Sequence, residues 1–180
     1  MQADPSSELH LQDIFILAGQ LQRDVGGTEG AEHVHKHLPA EFWGVSKSQL
    51  EEFVKMIRAA VRTSEITNPS LQELKDRGIP EKFYYDDAKF HDPLVGPNMH
   101  LVNEQFIKPE TAKDDPTHGI PNLSYALMKN SSEVVKCDLF LSHAWDEGVF
   151  DFGQKALAAW PGACRGAYFC CLSNPQNLHS

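Results

Sequence analysis

Hydrophobic positions in the first third of the chain recur at helical spacing. Leu11, Ile14, Phe15, Ala18, Leu21 and Val25 follow a 3.6-residue period behind the possible cap Ser7, and Gly26-Gly27 ends the run. Thr28 to Leu38 reads as a second, weaker helix stopped by Pro39. The third is the clearest, with Leu50, Phe53, Val54, Ile57 and Val61 forming one apolar stripe. Ser46 with Gln49 and Ser48 with Glu51 offer two capping boxes in front of it. This stripe is expected to pack on the first helix as core, in preference to docking a partner helix. Asn68-Pro69 then predicts a short helix closed by Gly78 and Pro80.

The texture changes after Ile79. Prolines at 80, 93, 97, 109, 116 and 121 exclude long regular elements. A brief helix is expected over Met99 to Ile107, with Met99, Val102 and Phe106 inward, and another over Asn122 to Lys129. Phe83, Tyr84, Tyr85, Phe90 and Phe106 are too many aromatics for a solvated tether, so this zone reads as an ordered connector. Beyond it the apolar run Cys137–Leu141 predicts a buried parallel strand, and Phe150 to Trp160 a helix. Ala167 to Leu172 predicts a second strand. A strand, a helix and a strand in that order make the minimal βαβ unit. The division is therefore an α-helical region over 1–78, a connector over 79–133 and an α/β segment over 134–180.

Composition narrows the function. Twenty-five acidic residues against 16 basic ones give a net charge of −9, and no Lys/Arg run overrides it locally, which argues against nucleic-acid binding. The start, Met1 to Glu8, is polar and acidic, unlike a secretory leader, and no apolar run is long enough to span a membrane. The cysteines at 137, 164, 170 and 171 include no Cys-x-x-Cys pair. Reduced core thiols in a cytoplasmic protein are the reading they favour, with Cys170 and Cys171 on opposite faces of a strand.

His33, His35 and His37 invite a metal hypothesis. On a helix, 33 and 37 share a face while 35 points away, so a solvated helix end is preferred and no metal site is assigned. The pairs Asp86-Asp87, His91-Asp92 and Asp114-Asp115 lack the ligand alternation of a calcium loop and are assigned to turns. At the amino end of the last helix, Asp146 and Glu147 are placed to cap free N–H groups. Phe150, Gly153, Leu157 and Trp160 would face the sheet. His143 with Asp146 reads either as an acid–base pair or as a loop hydrogen bond beside a helix cap, the second being favoured. Trp145 reads either as a stacking platform or as a lid.

The stretch Cys137-Asp-Leu-Phe-Leu-Ser-His-Ala-Trp-Asp-Glu147 resembles the first conserved box of Toll/interleukin-1 receptor-like (TIR-like) domains. With Ala158-Ala-Trp-Pro161 and Leu172-Ser-Asn-Pro-Gln-Asn177, it looks like a Ser-His-Ala-Trp group found in unicellular eukaryotes. The lead-in Met99 to Pro109 is also similar. The resemblance covers the last quarter of the chain well, reaches loosely back to Met99 and leaves the first 80 residues unassigned. It implies an incomplete flavodoxin-like parallel sheet, holding only the amino-terminal βαβ part of the domain. Some TIR domains self-associate as signalling scaffolds, and others cleave the nicotinamide–ribose bond of NAD. By resemblance, Ser142, His143, Trp145 and Asp146 line a nucleotide pocket together with the loop carrying Ser173 and Asn174. NAD is the implied cofactor. The family's essential Glu, on a later helix, has no counterpart here, which implies that this stretch alone does not hydrolyse NAD.

Two functions follow as expectations. One is a TIR-like signalling or nucleotide-handling protein, NAD glycohydrolase in type if the longer form is an enzyme. The other is a non-enzymatic interaction module that joins a protein partner, or itself, through the helical region and an exposed sheet edge.

Overall fold

The structure is a computed structural model that describes residues 5–80 and 84–178, with side chains from residue 11 onward. Phe83, one of the connector aromatics, lies outside the described residues. The chain is mostly helical, with a strand–helix–strand arrangement and one parallel strand pair after the helical region. No described helix is long and apolar enough to cross a membrane. Two compact units form. The first contains residues 1–46, 107–141 and 163–180, and the second contains 47–106 and 142–162.

The first unit opens with α1 (Pro5–Asp24) and α2 (Glu29–His37). Helix α1 begins at a proline, a favoured first helical position, so the backbone at Ser7 is already helical. Gly26 and Gly27 stop it at φ of 80° and 68°, where a side chain would be strained. Phe15 and Ala18 of α1 are buried, as are Ala31 and Val34 of α2. The helices approach closely because Gly30 lacks a Cβ, which would lie 2.9 Å from the Ala18 carbonyl oxygen.

A 3-10 turn (Ala40–Phe42) follows. Val45 and Ala167 then exchange two backbone hydrogen bonds of 2.9 Å, which covers one edge of β2 (Ala167–Phe169). The other edge of β2 pairs in parallel with β1 (Leu139–Leu141), placing Leu139, Phe140 and Leu141 opposite Ala167, Tyr168 and Phe169. Arg165 clamps the entry to this pair through two guanidinium bonds to Asp138, of 3.0 and 3.1 Å.

Three expectations for this region are corrected. First, the sheet is not covered on both faces. Phe140 is 66% exposed and stacks on Tyr168 with ring centroids 5.5 Å apart. Second, β2 ends at Phe169. The Ser173 hydroxyl accepts the Phe169 N–H at 3.0 Å and the Asn174 N–H donates to the Cys170 carbonyl at 3.0 Å, winding Cys170–Ser173 into a helical turn. Third, Cys170 and Cys171 therefore sit on that turn instead of on opposite faces of a strand. Burial raises the thiols of both, and that of Cys137 to about 11, which makes them poor nucleophiles.

The rest of the first unit is short helices, α7 (Lys108–Thr111) and α8 (Tyr125–Lys129), the latter capped by the Ser124 hydroxyl. Between them Asp115, only 2% exposed, gathers the Thr117, His118 and Ile120 N–H groups at 2.8–3.0 Å. The turn role assigned to Asp114-Asp115 is thus carried by Asp115.

The second unit is organised by α3 (Lys47–Arg62) and α9 (Val149–Ala158). Leu50, Phe53, Val54 and Ile57 of α3 are buried as the stripe requires. The stripe, expected to pack on α1, meets α9 within its own unit: Gly153 of α9 fits against Val54, whose Cγ2 would stand 2.6 Å from an added Cβ. Arg58 lies over the Phe150 ring at 3.9 Å. Helix α4 (Leu71–Asp76) starts two residues later than Asn68-Pro69 implied, because Ser70 and Glu73 close a reciprocal capping box. Helix α5 (Asp87–His91) is capped by Asp86, and α6 (Met99–Val102) by Asn98. A π-helical turn, Asn103–Ile107, follows α6.

Burial raises the Asp115 carboxyl, but hydrogen bonds from Ile120, Ser131, His118 and Thr117 outweigh it and hold it below its ordinary value. A depressed carboxyl stabilises the fold fully above its unfolded value of about 4 and loses that contribution as pH falls through the folded value. Asp115→Asn is expected to cost about 1–3 kcal/mol at neutral pH. It should also flatten the acid limb of the stability curve, as read by urea unfolding between neutral and acidic pH.

Candidate functional site

The candidate site lies in the second unit and is set by main-chain pairing. The loop Ser142–Gly148 leads into α9, and its end runs antiparallel to residues 95–99. The Met99 N–H donates to the Trp145 carbonyl at 3.1 Å, Val149 to Pro97 at 2.8 Å, and Phe150 to Val95 at 3.1 Å. Two glycines permit this approach. A Cβ on Gly148 would stand 2.2 Å from the Val95 carbonyl oxygen. One on Gly96, at φ of 72°, would stand 2.3 Å from the Phe150 ring. The Tyr85 hydroxyl braces the same strip by donating to the Gly96 carbonyl at 3.1 Å.

This pairing sets Trp145 among imidazoles. The His100 ring stacks on it at 5.1 Å and 26°, and the His143 ring tilts against it at 5.4 Å and 58°. His143 also packs on Phe152 at 5.7 Å. Asp146, with 82% of its side chain exposed, stands 4.0 Å from His100 Nε2. Desolvation lowers the His143 pKa. The Glu147 carboxylate opposes that shift and His100 reinforces it. The result is an aromatic ladder whose half-buried imidazole is biased towards its neutral form, with a carboxylate at its rim. Such a surface can stack a planar ring and offers an imidazole as a proton acceptor.

His100 also lines a groove of about 580 Å³ between residues 67–79 and 100–105, with Leu74, Ile79 and Leu101 as apolar wall and Arg77 and Glu104 as charges. That volume is in the range of small-molecule pockets. Glu104 and Gln105 belong to the π-helical turn, a feature that recurs at functional positions. Gln105 holds one wall in place, accepting the Thr67 N–H at 2.9 Å and donating to the Thr67 carbonyl at 2.8 Å.

Of the six residues assigned by resemblance, His143, Trp145 and Asp146 are brought together here, and Ser142 stands exposed at the head of the same loop. Ser173 and Asn174 belong to the first unit and have structural roles. The Ser173 hydroxyl is buried on the Phe169 N–H, and Asn174 Oδ1 accepts the Tyr168 hydroxyl. Asp146 does not cap α9. The cap is Gly148, which makes no side-chain bond, and Glu147 instead pairs with Lys155 at 3.6 Å. The sequence reading missed His100, Arg77 and Glu104. The signal for His100 was its place two residues behind the Asn98 cap, in the first turn of a short helix.

Among the His33, His35 and His37 set, His33 and His37 share a face with ring centroids 4.4 Å apart. His35 Nε2 instead accepts the Ser124 N–H at 3.2 Å, with the ring edge-on to Trp43. No family model, no curated protein and no solved structure matches this chain.

The His143 imidazole is expected to titrate below 6.5, and Glu147→Gln should move it lower still by removing the one charge that favours the protonated ring. Proton NMR of the ring C–H signals against pH measures both midpoints. A midpoint at or above 6.5 would contradict the desolvated setting.

Proposed function

We propose that this chain is a TIR-like nucleotide-handling protein that binds its ligand on the His100–Trp145–His143 ladder and in the adjoining groove. The observation that carries this reading is the indole stacked on one imidazole and flanked by a second, beside a groove that holds Arg77. A stacked ring accepts any flat base, and a guanidinium offers a forked partner to phosphate oxygens. Glu147, the glutamate of this loop, pairs with Lys155, and the resemblance implies a catalytic Glu on a later helix that has no counterpart in this stretch. The reading is therefore binding without turnover by this stretch of chain.

Calorimetry with NAD, ADP-ribose and AMP tests it. At least one should bind, Trp145→Ala should weaken it by about 1–3 kcal/mol from lost stacking, and no nicotinamide should be released from NAD. Absence of binding by all three at millimolar concentration would overturn the reading.

A second reading has its own observation. Phe140, exposed and stacked on Tyr168, puts an aromatic pair on the uncovered face of a two-stranded sheet. Such a face suits a non-enzymatic module that meets a protein partner or a second copy. Sedimentation over a hundredfold range of concentration would then show assembly that Phe140→Ser abolishes. A monomer throughout would count against self-association.

A further inference from the structure

We propose that the groove between α1 and α2 binds a divalent transition-metal ion through the imidazoles of His33 and His37. The two residues are one helical turn apart on α2, and their rings are 4.4 Å apart, tilted by 41°. Two histidines four residues apart on one helix face are a chelating pair, since their ring nitrogens reach one ion from successive turns. Bonds of about 2.0–2.1 Å to a tetrahedral ion require nitrogens roughly 3.3 Å apart, within reach of rings already this close.

The structure adds what the sequence could not. The same groove, about 280 Å³, is lined by Asp13 from α1 as well as by His33, His37, Ile14 and Leu17. A carboxylate therefore shares the groove with the imidazole pair. His35 takes no part, since its Nε2 already accepts the Ser124 N–H.

Among the described residues no three His, Cys, Asp or Glu side chains already surround one point. The site is thus a two-histidine clamp whose remaining positions go to water, with the Asp13 carboxylate accepting a hydrogen bond from that water. Imidazole ligands select zinc, nickel or copper ions over calcium and magnesium, which prefer all-oxygen sites.

The test is a zinc chloride titration of the whole chain followed by imidazole NMR, with calcium chloride as control. Total zinc uptake is a poor readout because the thiols of Cys137, Cys164 and Cys170 are partly accessible. The His33 and His37 ring signals should shift together at one-to-one zinc and ignore calcium. His33→Gln or His37→Gln should abolish the shift of the remaining ring. Asp13→Asn should weaken binding about tenfold while leaving both rings responsive, as expected for a group that holds the ligand shell. His91→Gln, on α5, should change nothing. Independent shifts of the two rings, or an unchanged zinc-induced shift of the remaining ring in either single variant with its fold intact by circular dichroism, would overturn the proposal.

Discussion

The second unit depends on a short length of backbone lying against backbone. Residues 95–99 and 145–150 touch through main-chain hydrogen bonds, and the two glycines there have no room for a side chain. Everything chemically notable in that unit hangs from this contact. It places Met99, and with it the start of α6, beside Trp145, so the ring of the next residue, His100, falls on the indole. It also fixes where α9 begins, which decides that Gly153 meets Val54 and that Phe150 lies beneath Arg58. The side-chain cluster is thus positioned by peptide groups, whose directional bonds leave far less freedom than apolar packing.

The first unit solves a different problem, that of turning the chain tightly between short elements without stranding buried polar groups. Asp115 does so by collecting three N–H groups on one carboxylate, and Ser173 by taking the Phe169 N–H inside its helical turn. Asn130 does so by donating to the Gly44 carbonyl at 2.9 Å. In each case one short polar side chain replaces a stretch of regular secondary structure. That suits a sequence in which proline recurs too often for long helices.

Much of this was legible from the chain, and the failures have identifiable physical causes. Apolar spacing located α1, α2 and α3, and glycine punctuation marked where α1 stops, because both act locally. Spacing could not say which helix α3 meets, since the answer depends on Gly153, about a hundred residues further on. It extended β2 to Leu172 because a continuous apolar run looks alike as strand or as buried turn. The hydroxyl that decides the matter, Ser173, lies just past the run. The grouping of His143, Trp145 and Asp146 was legible because they are contiguous, whereas His100, Arg77 and Glu104 come near them only through the fold. Ser173 and Asn174 lie in the first unit, where they accept hydrogen bonds from Phe169 and Tyr168.

The way the two units share the chain has a consequence for how the protein is made. The polypeptide passes from one to the other after Ser46, Phe106, Leu141 and Gly162. A ribosome delivers α1 and α2 ahead of the second unit, yet their own unit stays incomplete until β2 and the turn Cys170–Ser173 emerge, on the order of ten seconds later. The second unit starts later and has all its parts once Gly162 is out. During that interval the close fit at Gly30 lets the α1–α2 hairpin form, while Phe15 gains its stacking partner His118 before β2 emerges. Of the two units, the one whose helices emerge earlier is the one completed later.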